Sequence, residues 1–176
     1  MRSYIERAKD FVQQIYPYIG EWESPYGVSN DVDDFNEQNH RKVIMRHGIA
    51  RIAFITSDYV VKYDFDPEEV AVVGGCENEV ELYEVAVAEG FGYLFAEITR
   101  FPYRGRNFYI MPRIRGINGD SWNHADYYMT DEENAWCDRH NLSDLHCNNY
   151  GFRNGKVCII DYACHLEETS ESSSWS

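Results

Sequence analysis

The stretch Ser143–Ala163, SDLHCNNYGFRNGKVCIIDYA, carries the densest chemistry of the chain. It offers the carboxyl of Asp144, the amide of Asn149, and Asp161 at the end of the apolar run Val157-Cys158-Ile159-Ile160. Between the last two, Asn154-Gly155 predicts a type I′ hairpin turn, which needs positive φ at both central residues. That turn joins strands expected at Tyr150–Arg153 and Lys156–Ile160. An acid closing a buried strand is costly unless it meets a partner or a cation. A carboxylate and an amide oxygen delivered from the two ends of one hairpin make a hard-cation site, of the kind Mg²⁺ fills together with substrate phosphates.

Upstream of the hairpin the pattern is that of an α+β protein. Residues 3–16 read as an amphipathic helix with Ser3 as cap, Ile5, Ala8, Phe11, Val12 and Ile15 on one face, and Pro17 as stop. Residues 17–39, rich in Gly, Pro, Asn, Asp and Ser, read as a long connector. Strands are expected at 42–46, 50–56 and 59–64, the last two joined by a turn at Ser57-Asp58, and a strong helix at 77–89, ended by Gly90. Two more strands, at 93–99 and 107–112, and a helix at 131–139 complete the list, giving a five-stranded antiparallel sheet packed on one main helix. Spacing leaves the strand order open. The last ten residues, EETSESSSWS from Glu167, form a polar tail with several hydroxyls beside acids.

Composition narrows the function. The chain has 176 residues, the size of one domain, and carries 30 acids against 16 bases, a formal charge of −14. Such a surface repels phosphate backbones and argues against general nucleic-acid binding. No apolar run reaches the roughly 18 residues a membrane helix needs, and the charged start MRSYIERAKD disfavours a secretion signal. Five cysteines at irregular spacing suit a reducing compartment, so a cytoplasmic protein is expected. The charge is uneven: ten acids and no base between Tyr63 and Thr99, then five arginines and no acid from Arg100 to Arg115. Of the four lysines, Lys62 alone sits inside an apolar strand, where it needs an anionic partner. The helix at 77–89 offers Glu77, Glu79 and Glu81, and Glu79 has Leu82 and Tyr83 three and four residues on, which favours it as the inward one.

These residues together resemble the protein-kinase-like superfamily. Asp144-Leu145-His146-x-x-Asn149, followed twelve residues later by Asp161, is similar to its catalytic loop and metal-binding Asp. His146 at that place resembles the aminoglycoside-phosphotransferase and small phage-type kinase branches. Val60-Val61-Lys62 is similar to the strand ending in the nucleotide-positioning lysine, the Glu77–Tyr83 helix to the one whose Glu holds it, and Phe108–Arg113 to the strand and hinge beside the adenine. The resemblance covers about residues 42–163. It implies Asp144 as the group facing the acceptor hydroxyl, Lys62 on the α- and β-phosphates, and Glu79 fixing Lys62. It also implies Gly48, His146 and Met111 as further nucleotide contacts, and Asn149 and Asp161 as ligands of Mg²⁺.

The chain departs from the family's pattern in several places. The phosphate-covering segment His47-Gly48-Ile49-Ala50-Arg51 has a single glycine, the residues before Asp144 are Leu142-Ser143, and Tyr162-Ala163 follows Asp161. The expectation is therefore a minimal kinase: an N-terminal helix and connector (1–41), an N-lobe (42–115), a strongly truncated helical C-lobe with the catalytic loop (116–166), and the tail (167–176). It is expected to use ATP and Mg²⁺ and to phosphorylate a protein Ser or Thr, in the host cytoplasm if viral. The alternative is a catalytically silent pseudokinase, an acidic protein that binds or inhibits a partner protein. A zinc site from Cys137, His140, His146 and Cys147, or a Cys–His nucleophile, has less support, because the ligand doublets of structural zinc are missing.

Overall fold

The computed structural model describes residues 2–115 and 124–162. Five strands pair antiparallel in the order β1-β2-β3-β5-β4, with β1 at Ile44–His47, β2 at Arg51–Ile55, β3 at Tyr59–Asp64, β4 at Thr99–Tyr103 and β5 at Arg106–Pro112. The central strand β3 alternates between two faces, as a period of two requires. Tyr59, Val61 and Tyr63 point into an aromatic core, and Lys62 points to the other side. On β5, Phe108 and Ile110 join the aromatic core, whereas Tyr109 and Met111 join the opposite one.

The aromatic face is covered by the N-terminal segment. Helix α1 (Tyr4–Ile15) starts with a capping box in which Ser3 and Glu6 satisfy each other's backbone N–H. It buries Ala8, Phe11, Val12 and Ile15 against the sheet. The expected connector at 17–39 is a correction: Pro25–Asn39 is a second helix, α2. Ser24 caps it through the Gly27 N–H, Pro25 occupies the first turn, and Val28, Val32 and Phe35 recur at helical spacing and are buried. Its polar residues are weak helix formers, and burial of that apolar stripe overrides their propensity.

The other face carries helix α4 (Cys76–Ala88), preceded by the short α3 (Pro67–Val73), which the sequence reading does not contain. The Asp64 carboxylate at the end of β3 accepts from the Cys76 N–H at 3.0 Å, capping α4 from outside the helix. The expected strand at 93–99 is a second correction. Gly92–Leu94 is a 3₁₀ turn, and Phe95 and Ala96 leave the sheet to bond Ile159, with Ala96 N donating to Ile159 O at 2.8 Å. The fourth strand begins only at Thr99 and turns back at Arg104-Gly105, both with positive φ. Helix α5 (Asp131–Arg139) and the hairpin of β6 (Tyr150–Arg153) and β7 (Lys156–Ile159) close this side. Asn154 and Gly155 take φ of 55° and 78°, as a type I′ turn demands. The expected tail and its hydroxyls lie outside the described residues.

Candidate functional site

Four elements converge on Lys62. Its Nζ donates to both carboxylate oxygens of Glu79 on α4, at 2.9 and 3.0 Å, and to the carbonyl of Ile160 at 3.0 Å. Glu79 is fully buried. Of the three glutamates at the start of the helix, Glu77 is taken by Arg100 and the Tyr109 hydroxyl, both at 2.9 Å, and Glu81 is exposed. Asp64 sets this match: it lies two residues beyond Lys62 on β3 and caps α4 three residues before Glu79. Glu79 also accepts from the Tyr162 N–H at 3.2 Å, which locks the chain leaving β7.

Asp161 lies beside this pair, 4.0 Å from Lys62 Nζ, and Arg51 Nη1 donates to it at 2.9 Å. Arg51 Nη1 also reaches Glu79 at 3.4 Å. Two cations and two carboxylates thus balance in one cluster. Burial opposes ionisation of Asp161, but the Lys62 and Arg51 charges outweigh it and hold its pKa below the usual value. Burial likewise opposes charge on Lys62, and Glu79 and Asp161 reverse that and raise its pKa. Burial pushes Glu79 upward, with Lys62 pulling it back. Arg51 is the residue that the sequence reading missed. The signal was present: a turn at Ser57-Asp58 pairs Ala53 with Lys62 and Arg51 with Asp64, so Arg51 shares the face of Lys62.

Asp144, His146 and Asn149 meet as a second group. Asn149 Nδ2 donates to the Asp144 carbonyl at 2.8 Å and to its carboxylate at 3.1 Å. His146 Nε2 lies 3.4 Å from the other Asp144 oxygen, and His146 Nδ1 accepts from the Asn148 N–H. His146 therefore braces the loop. The Asn149 carbonyl accepts from the N–H groups of Ile160 and Asp161, tying this loop to the end of β7. The Asp144 side chain is 79% exposed, open to an incoming group.

Two clefts meet at these residues. One of about 200 Å³ is lined by Arg46, His47, Gly48, Arg51, Lys62 and Asp161. The other, about 300 Å³, is lined by Arg51, Ser143, Asp144, Asn149 and Asp161, with Val73 at its wall. Arg51 and Asp161 belong to both. Met111 is buried in the core behind Lys62, opposite Val60. A larger concavity of about 800 Å³ lies away from this chemistry, beside α1 and the Ser57-Asp58 turn. Its arginines are already spent, Arg7 on Asp58, Arg2 on Asp10 and Arg41 on Gln14, and it holds no buried ion pair. The smaller clefts are the better candidate, because among the described residues the buried charges, Lys62 and Glu79, lie beside them.

Oxygen donors from Asp161 and Asn149 line one cleft, a set that fits a hard divalent cation needing only one or two protein ligands beside phosphates. Among the described residues no group of three or more His, Cys, Asp or Glu side chains is arranged to hold a metal, so the zinc alternative has no built site there. Cys76, Cys137 and Cys158 are buried thiols with raised pKa, the opposite of an activated nucleophile. No helix among the described residues is long and apolar enough to cross a membrane. In comparisons with known proteins the chain matches no family model, no curated protein and no solved structure.

Proposed function

We propose that the chain is an ATP- and Mg²⁺-dependent phosphotransferase of protein-kinase-like fold, acting on a protein hydroxyl. The observation that carries this reading is the buried Lys62–Glu79 pair with Asp161 beside it: Lys62 lines one cleft, Asp144 and Asn149 line the other, and Asp161 belongs to both. Phosphoryl transfer asks chiefly for positioning and charge neutralisation, and these side chains form a sufficient set. Lys62, held by Glu79, faces the cleft that would receive the phosphates. Asp144, exposed and oriented by Asn149, takes the proton of the acceptor hydroxyl as its oxygen bonds the γ-phosphorus. The bond from that phosphorus to the β-phosphate bridge breaks and ADP leaves. Mg²⁺, when bound at Asp161 and Asn149, supplies charge neutralisation on the phosphates.

Differential loss tests this reading. Asp144→Asn is expected to keep ATP affinity near wild type while transfer falls roughly 10²–10⁴-fold, the contribution of a positioned general base. Asp161→Asn is expected to weaken metal-dependent nucleotide binding as well. Calorimetric titration with a non-hydrolysable ATP analogue, beside labelled-ATP transfer into a lysate, separates the two. Loss of binding in Asp144→Asn with binding intact in Asp161→Asn reverses the roles. One observation favours the silent-pseudokinase alternative: the Arg51 guanidinium already occupies Asp161. A wild-type protein whose melting temperature ignores millimolar Mg·ATP supports that alternative.

A further inference from the structure

The three N–H bonds of the Lys62 ammonium are all committed: two to Glu79 and one to the Ile160 carbonyl. Lys62 therefore meets an incoming phosphate only by giving up a bond it already makes. The loop over the cleft has also committed its one glycine. The Gly48 N–H is spent on the Arg51 carbonyl at 2.9 Å, and no second glycine lets the backbone of residues 47–51 wrap closely around an anion. Arg51 is in the opposite position. A guanidinium has five N–H donors in a planar fork, and both of its ion pairs run through Nη1. Its side chain remains 22% exposed and lines both clefts.

From this imbalance we infer that Arg51 is the principal phosphate ligand of the cleft, gripping a polyphosphate through its remaining N–H groups while Nη1 keeps hold of Asp161. The inference deepens the phosphotransferase reading and rests on it for the nature of the ligand. The cations that edge the cleft, Arg46, Arg51 and Lys62, replace the backbone cradle that a glycine-rich loop otherwise supplies. Because Arg51 already neutralises Asp161, polyphosphate binding through it does not require a divalent cation.

Calorimetric titration in EDTA, with inorganic tripolyphosphate and with ATP, tests this. Arg51→Gln is expected to weaken both ligands roughly ten- to a hundredfold, the worth of charge-assisted hydrogen bonds to one anion. Arg46→Gln, a more exposed cation on the same cleft, should cost about threefold or less. Equal small losses in the two variants overturn the assignment, leaving general electrostatic attraction only. Wild-type binding of ATP that Arg51→Gln leaves intact also overturns it, while the nucleotide reading stands. Tripolyphosphate binding lost in Arg51→Gln, with ATP bound no more tightly than tripolyphosphate, keeps Arg51 and removes the nucleotide reading. A wild-type protein that binds neither ligand in EDTA overturns the assignment, and the nucleotide reading is then decided by the melting temperature with Mg·ATP. If Arg51→Gln fails to fold, the wild-type chain still decides. Its Arg51 Nε–H resonance, assigned with Arg51→Lys, should shift on addition of tripolyphosphate, and an unmoved resonance overturns the proposal.

Discussion

The two faces of one sheet are stabilised in opposite ways. On the α1–α2 side, Phe11, Trp22, Phe35, Phe54, Tyr63 and Phe108 pack edge-to-face and stacked, with ring centroids 5.1–5.9 Å apart in pairs such as Trp22–Tyr63 and Phe54–Tyr63. The polar handle there is the Tyr63 hydroxyl, which donates to the Trp22 carbonyl at 3.0 Å. On the α4 side, the same central strand buries an ammonium against a carboxylate. The first face is the less expensive construction, since apolar burial carries no desolvation penalty. The fold uses both on adjacent residues, Val61 and Lys62.

That contrast is open to attack. Phe54→Ala, at a fully buried ring touching Phe11, Trp22 and Tyr63, should destabilise the protein by about 4 kcal/mol. Urea denaturation measures it, and a loss under 1 kcal/mol would show that the aromatic layer does not anchor the sheet. Lys62→Met leaves Glu79 buried with Arg51 at 3.4 Å as its remaining cation, beside the Tyr162 N–H, and should cost about 3 kcal/mol. The double variant Lys62→Met/Glu79→Leu should recover most of that. A double variant that is no more stable than the single one would mean that the pair is a net stabiliser, and the contrast between the faces would fail. Asp64→Ala removes the external cap of α4 and should cost about 1 kcal/mol, together with weaker nucleotide affinity as Glu79 loses its register. Unchanged affinity would show that the helix is placed by packing alone.

The smallest effect concerns pH. Asp161 titrates in the folded state below its ordinary value of 3.8. Its contribution is therefore present above that value and is lost as pH falls from there through the folded-state pKa. Denaturation midpoints should decline on this acid limb in the wild type and less steeply in Asp161→Asn. Parallel limbs would show that Arg51 and Lys62 do not hold Asp161 ionised.

Much of this face was legible along the chain. Lys62 stood out as the one lysine in an apolar strand, Asn154-Gly155 announced its hairpin, and the apolar neighbours of Glu79 favoured it over Glu81. The helix at 25–39 was not legible, because its stripe of Val28, Val32 and Phe35 is thin among Asn, Asp and Ser and becomes decisive only when the sheet buries it. Nor was the segment 93–98, whose apolar run suits a strand as well as the chain that actually crosses to β7.

The sequence by itself determined the local elements with strong turn and cap chemistry, and it supplied the acid, amide and lysine whose spacing points to a site. Only the tertiary structure decided which charges meet. The partner of Lys62 depends on how α4 is capped by Asp64, and the ion pair of Arg51 with Asp161 joins residues 110 positions apart. Such a contact leaves no mark on local periodicity, because it depends on where the sheet and the hairpin dock rather than on any neighbour in the chain.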